Sequence, residues 1–179
     1  MSERKTKKKL TTQRLVMGGV FGAICVVLGL TGLGMIPVPN LTGRATIMHV
    51  PVIIAGVLEG PLVGAFTGLI MGGYSLMTAS TVPDPIVTIV PRILIGVVSG
   101  YVYKLFGRHY LMGAAFAGIA GTATNTLGYI GLAILLGYLP QAIWIAVLPQ
   151  FVIELILATV LTVALVRVIV RAMPSYGKK

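Results

Sequence analysis

The chain has 179 residues, 56% of them hydrophobic and only 10% charged, with a formal net charge of +10. A soluble domain of this size carries about a quarter charged residues, so the composition excludes an ordinary water-soluble protein. There is no GxxxxGK[ST] phosphate loop and little length for an ATPase domain, and the cations flank apolar runs instead of forming a basic face with interleaved aromatics, which argues against a nucleic-acid partner.

The first 14 residues form a basic segment containing Arg4, Lys5, Lys7, Lys8, Lys9 and Arg14. The apolar run behind it exceeds the length of a secretory signal and shows no small-x-small cleavage site, so it reads as a retained helix 1 over 15–35. Within it Gly32 and Gly34 form a glycine cluster, but no strand or acidic partner follows, so it is not a nucleotide fingerprint. Cys25 in the same run reads as a small packed apolar residue. Two prolines and a glycine in Ile36-Pro-Val-Pro-Asn-Leu-Thr-Gly-Arg44 end helix 1.

Helix 2 is short, over 45–58, and stops at Glu59-Gly60-Pro61, where Glu59 is expected to be solvated or to face a partner. Pro61 suits the first turn of helix 3, which runs to about residue 79. Residues 80–85 form a loop. Helix 4 covers 85–105 with Pro91 inside it. Positions 107–110 connect to helix 5 over 111–136, a turn at 137–140 follows, and helix 6 covers 141–172. Each long run has about the 20 residues a bilayer crossing needs. The chain therefore reads as an all-α membrane protein: a six-helix membrane domain over 15–172, a basic segment over 1–14 and a tail over 173–179.

Six crossings place both termini on one side. All but two of the fourteen lysines and arginines fall on that same side, at the amino terminus, the helix 4–5 connector and the carboxyl end. The positive-inside rule makes it cytoplasmic. The two exceptions are Arg44, in the first outer loop, and Arg92, about 10 Å into helix 4.

An arginine at membrane depth is costly unless it is paired or hydrated. Arg92 is thus a structural partner of Glu154, an anion ligand in an outward cavity, or both. Glu154 shares a helix face with Gln150. Asn125 sits in a polar patch, Thr122-Ala-Thr-Asn-Thr126, and can both donate to and accept from a ligand; interhelical bonding is the alternative. Tyr129 lies one turn further along that face. Arg44, His49 and Trp144 are candidates for the cavity mouth, although each also has an ordinary role as a solvated, packed or interfacial residue. Neither histidine has a metal-ligand context, so no metal, cofactor or catalytic residue is expected. In helix 1, Gly18 with Gly22 and Gly19 with Ala23 recur at i, i+4, which permits close helix approach within the chain or to a partner.

The run Ala45-Thr-Ile-Met-His-Val-Pro-Val-Ile-Ile-Ala-Gly-Val-Leu-Glu-Gly-Pro61, followed by Gly64-Ala-Phe-Thr-Gly68, resembles the substrate-binding S components of energy-coupling factor (ECF) vitamin transporters. Asp84-Pro85, Pro91-Arg92 and the lysine-rich start add to the likeness, which extends over nearly the whole chain. The resemblance implies an S component in a bacterial cell membrane that captures a vitamin from outside. It also implies docking through helix 1 on a membrane coupling subunit that carries two cytoplasmic ATPases. A small-residue pair on helix 1 makes that contact in the family, which here corresponds to Gly18/Gly22 and Gly19/Ala23. The helix 2–3 segment is closest to the pantothenate-like branch, and a carboxylate suits an arginine fork. Cobalamin, folate or another vitamin precursor remain alternatives, as does a stand-alone small-solute channel.

Overall fold

A computed structural model describes residues 12–37, 44–79, 82–106 and 109–173. The terminal basic residues at positions 4–9, 178 and 179, together with Arg108, lie outside the described residues, as do parts of the expected 80–85 loop and 107–110 connector.

Among the described residues six helices follow in order: α1 (Thr12–Leu30), α2 (Val50–Glu59), α3 (Pro61–Thr78), α4 (Pro85–Leu105), α5 (Tyr110–Leu135) and α6 (Ile143–Ala172). Between α1 and α2 lie two short strands, β1 (Met35–Pro37) and β2 (Arg44–Thr46). All the helices except the ten-residue α2 are long and apolar enough to cross a membrane. Their outer faces carry Val16, Val27, Leu62, Leu69, Val152, Ile156 and Val160, all exposed. Such an apolar exterior suits lipid and would be a liability in water.

The α2 helix forms the centre. Every one of its residues is buried, with α3, α4, α1 and α6 packed around it. Glycines make this possible. Gly56 of α2, Gly64 of α3 and Gly96 of α4 meet backbone to backbone, and a Cβ at Gly56 would stand 2.5 Å from the Gly96 carbonyl oxygen.

The region between α1 and α2 departs from the sequence expectation. Helix 1 ends at Leu30, not near residue 35, because Gly32 adopts a left-handed φ of 72° and the Gly34 N–H turns back to the Leu28 carbonyl. This is the usual way a glycine terminates a helix. Helix 2 begins at Val50, not residue 45, because Arg44–Thr46 pairs antiparallel with Met35–Pro37. Pro51 sits in the first turn of α2, where its missing N–H costs nothing. The fold is thus helical with one small hairpin. Proline is also present inside α6, at Pro149, as well as inside α4, at Pro91.

At the end bearing Arg14, Lys104 and Arg167, the Nε of Arg14 lies 3.2 Å from Oε2 of Glu59. Glu59 is 4% exposed, so it is a buried ion-pair partner that joins the start of α1 to the end of α2, and the expectation of a solvated turn residue is corrected.

Candidate functional site

At the opposite end of the bundle lies a cavity of about 520 Å³. That volume falls in the range of about 300–1,000 Å³ typical of small-molecule sites. Helix α4 contributes Arg92, α5 contributes Asn125, Thr126, Tyr129 and Ile130, and α6 contributes Ile143, Val147, Gln150 and Glu154. Met35 and Thr46 bring the hairpin to the wall, and Leu139 brings the α5–α6 turn. The α6 residues step by four, three and four, which puts them on one helix face.

Arg92 is held from behind. Gly68 of α3 lies against its backbone, and its guanidinium stacks over the Tyr129 ring with Cζ 4.6 Å from the centroid. Its Nε and Nη1 are buried and make no hydrogen bond within the protein. No ion pair joins Arg92 to Glu154 among the described residues. The fork therefore retains donor capacity that an anion can use, and burial strengthens any such contact.

Asn125, on the neighbouring helix, is 7% exposed with its Oδ1 unpartnered. A buried amide oxygen without a donor is an energetic liability unless a ligand supplies one. Guanidinium donors and an amide acceptor around one space suit a small molecule carrying an anionic oxygen and a nearby N–H or O–H.

Glu154 is 2% exposed. Its Oε1 accepts the backbone N–H of Thr46 at 2.7 Å and Nε2 of Gln150 at 2.8 Å, while Oε2 accepts from the Thr126 hydroxyl at 3.5 Å. Much of its acceptor capacity is thus taken up inside the protein.

Two expected site residues do not line the cavity. His49 is fully buried ahead of α2, with its Nε2 3.0 Å from the Thr122 hydroxyl; its position at the start of the central helix carries it into the core. Trp144 is half-buried in the first turn of α6, beside the lining residue Ile143 but not itself in the wall. Arg44 lies in β2 opposite Pro37. Sequence reasoning missed Met35, Thr46, Ile130, Leu139, Ile143 and Val147. For Ile143 and Val147 the signal was present, since stepping back from Glu154 along one helix face reaches both.

Above the cavity end, Asp84 caps α4. Its Oδ1 accepts from the N–H groups of Ile86 at 2.8 Å and Val87 at 3.1 Å, and its Oδ2 accepts from the Tyr138 hydroxyl at 3.0 Å. The Val87 N–H foremost, with Tyr138 and Ile86, holds the Asp84 carboxyl below its ordinary range, and Asp84 raises the Tyr138 phenol above its own.

The four small residues of α1 divide into two faces. Gly18 and Gly22 are buried against α3, where added Cβ atoms would stand 2.9 Å from Val63 Cγ1 and 2.6 Å from Ile70 Cδ1 respectively. A Cβ at Gly19 would meet nothing within 4 Å, and Ala23 is exposed. Of the two candidate partner pairs, Gly18/Gly22 serves packing within the chain, and only Gly19/Ala23 faces outward.

The family model described as ECF transporter, substrate-specific component, matches residues 13–166. Among curated proteins, the chain is 32% identical over 142 residues to the pantothenic acid transporter PanT of Lactococcus lactis subsp. cremoris (strain MG1363), covering 67% of this chain and 71% of that protein.

Proposed function

This chain belongs to the substrate-specific components of ECF transporters, and we propose that it captures pantothenate from outside the cell for ATP-driven uptake. The observation that carries the substrate assignment is Arg92: a membrane-depth guanidinium on the cavity wall, stacked on Tyr129, with two buried nitrogens unpaired within the protein. Pantothenate supplies a carboxylate for that fork and an amide and hydroxyl groups for Asn125. The likeness to a pantothenic acid transporter supports the same reading. A cavity of about 520 Å³ favours a compact acid over a corrinoid.

Under this proposal α2 completes six membrane passes, both termini are cytoplasmic, and the cavity opens outward in a bacterial cell membrane. The chain has no hydrolytic role of its own. ATP hydrolysis belongs to two cytoplasmic ATPase subunits, reached through a membrane coupling subunit that docks on the outward face of α1 around Gly19 and Ala23. The hairpin's share in the cavity wall, through Met35 and Thr46, favours a binding subunit over a stand-alone channel, which needs a continuous pore lining.

Native mass spectrometry of the gently purified protein tests the proposal. A stoichiometric adduct with the mass of pantothenate is expected after growth on pantothenate. A different vitamin in that position would overturn the substrate assignment, and failure to bind any of a panel of vitamins would overturn the capture role.

A further inference from the structure

The residues that fasten the hairpin are separate from those that offer unpaired groups to a ligand. The N–H of Thr46 in β2 goes to Glu154 of α6, 108 positions away in the sequence. The next ladder bond, from Ile47 N–H to the Gly34 carbonyl at 2.9 Å, then ties β2 back to the end of α1. The Thr46 hydroxyl accepts the Met48 N–H at 3.3 Å, which continues the link toward α2. Both strands contribute to the cavity wall, through Met35 and Thr46.

A backbone N–H donated to a carboxylate is a charge-assisted bond, shorter and stronger than a neutral one. Here it is part-buried, and Gln150 and Thr126 hold the carboxylate in place. Glu154 is also surrounded by donors from three elements, β2, α5 and α6, so it joins the hairpin to both helices that supply most of the cavity.

We propose that Glu154 is a positioning residue that pins the β1–β2 hairpin to α6 as one wall of the cavity, and thereby sets how slowly a bound molecule leaves. Its effect on ligand release rests on the cavity being the capture site proposed above; its effect on the hairpin does not. The Thr46–Glu154 bond is present in the protein without ligand, so entry and release past this wall both require it to break. Loss of the pin therefore speeds passage in both directions, and release is the rate that reports on retention.

Two variants address the bond from its two ends. Glu154→Gln preserves volume but removes the charge and replaces one acceptor oxygen by an amide NH₂, which faces either the Thr46 and Gln150 donors or the Thr126 hydroxyl. Thr46→Pro removes the donor itself and leaves Glu154 intact. Hydrogen exchange on the purified, ligand-free protein reads the Ile47 amide, and stopped-flow chase reads pantothenate release. The expected result is faster exchange at Ile47 in both variants, and release accelerated roughly tenfold or more, the scale of one lost bond to a charged group, with association accelerated as well. The double variant should release no faster than the quicker single one, because both act on the same bond, Glu154→Gln by removing its charge and Thr46→Pro by removing its donor.

Unchanged exchange at Ile47 in both variants would overturn the proposal without reference to any ligand. Wild-type binding with unchanged release from the variants would overturn the retention role. If the wild type binds no pantothenate, the substrate reading fails and the exchange measurement still decides whether Glu154 holds the hairpin. Should one variant fail to fold, the other carries the test.

Discussion

Gly68 of α3 lies directly against the backbone carbonyl of Arg92 in α4, so that a Cβ at position 68 would collide with the Arg92 carbonyl oxygen and with Ile93 Cα. The contact lies outside the cavity, yet it determines where the buried guanidinium stands. Gly64 and Gly72 extend the same face, meeting Gly96 and Ile89, so the α3–α4 seam fixes Arg92 at close range.

Replacing Gly68 should therefore act on the site indirectly. Gly68→Ala is expected to lower stability by about 1–3 kcal/mol, the usual cost of overpacking, and to weaken ligand binding although no ligand group touches residue 68. Thermal unfolding in detergent and calorimetric titration would check both. An alanine variant with wild-type Tm and affinity would mean that the seam yields without moving Arg92.

Asn125 offers a sharper local test. Asn125→Ala removes the orphaned acceptor and should weaken binding by about 1–3 kcal/mol if a ligand donor pairs with it, with little effect on fold, since Oδ1 has no partner within the protein. Undiminished affinity would remove Asn125 from the site. Tyr129→Leu should cost about 0.5–2 kcal/mol of affinity through lost stacking on Arg92, while Tyr129→Phe retains most of it.

The two faces of α1 should separate fold from partnership. Gly22→Leu drives a side chain into Ile70 and is expected to lower Tm. Gly19→Leu projects into open space and should leave Tm and ligand affinity unchanged while reducing co-purification with the coupling subunit. Full co-purification of the Gly19→Leu protein would place the docking surface elsewhere.

The Asp84–Tyr138 tie carries a pH signature. Asp84 titrates below its ordinary value in the folded protein, so its contribution is complete above the unfolded carboxylate range of about 4 and is lost as pH falls through the lower folded value. Tyr138 titrates above its ordinary value, so its contribution persists up to about pH 10 and is lost as pH rises further. The Tm difference between wild type and Tyr138→Phe should thus be flat from about pH 5 to 9 and shrink at either extreme. A difference that varies steadily through neutrality would contradict the assignment.

Much of the architecture was legible because the bilayer permits few solutions. The bounds of α4 follow from Asp84-Pro85 at one end and Lys104 at the other, and Arg92 drew attention as a cation where cations are costly. The hairpin was not legible. Three of the residues 45–48 are apolar and the segment continues into a helix, and strand pairing between positions 35–37 and 44–46 is a non-local choice that periodicity in so short a segment cannot reveal. That one error moved Thr46 from a helix to the cavity wall and hid its bond to Glu154. The role of Gly18 and Gly22 was ambiguous for a different reason: i, i+4 spacing shows that a helix can be approached closely, not which helix approaches.

The most direct test of the central claim compares pantothenate with panthenol, its analogue with an alcohol in place of the carboxylate, by isothermal titration of wild type and Arg92→Ala. The account predicts tight pantothenate binding by wild type and far weaker panthenol binding. It predicts a loss of about 2–5 kcal/mol for pantothenate in the variant, so that the two compounds become nearly equivalent. Equal binding of both compounds by wild type, or an Arg92→Ala protein that still prefers the acid, would contradict recognition of the carboxylate by Arg92.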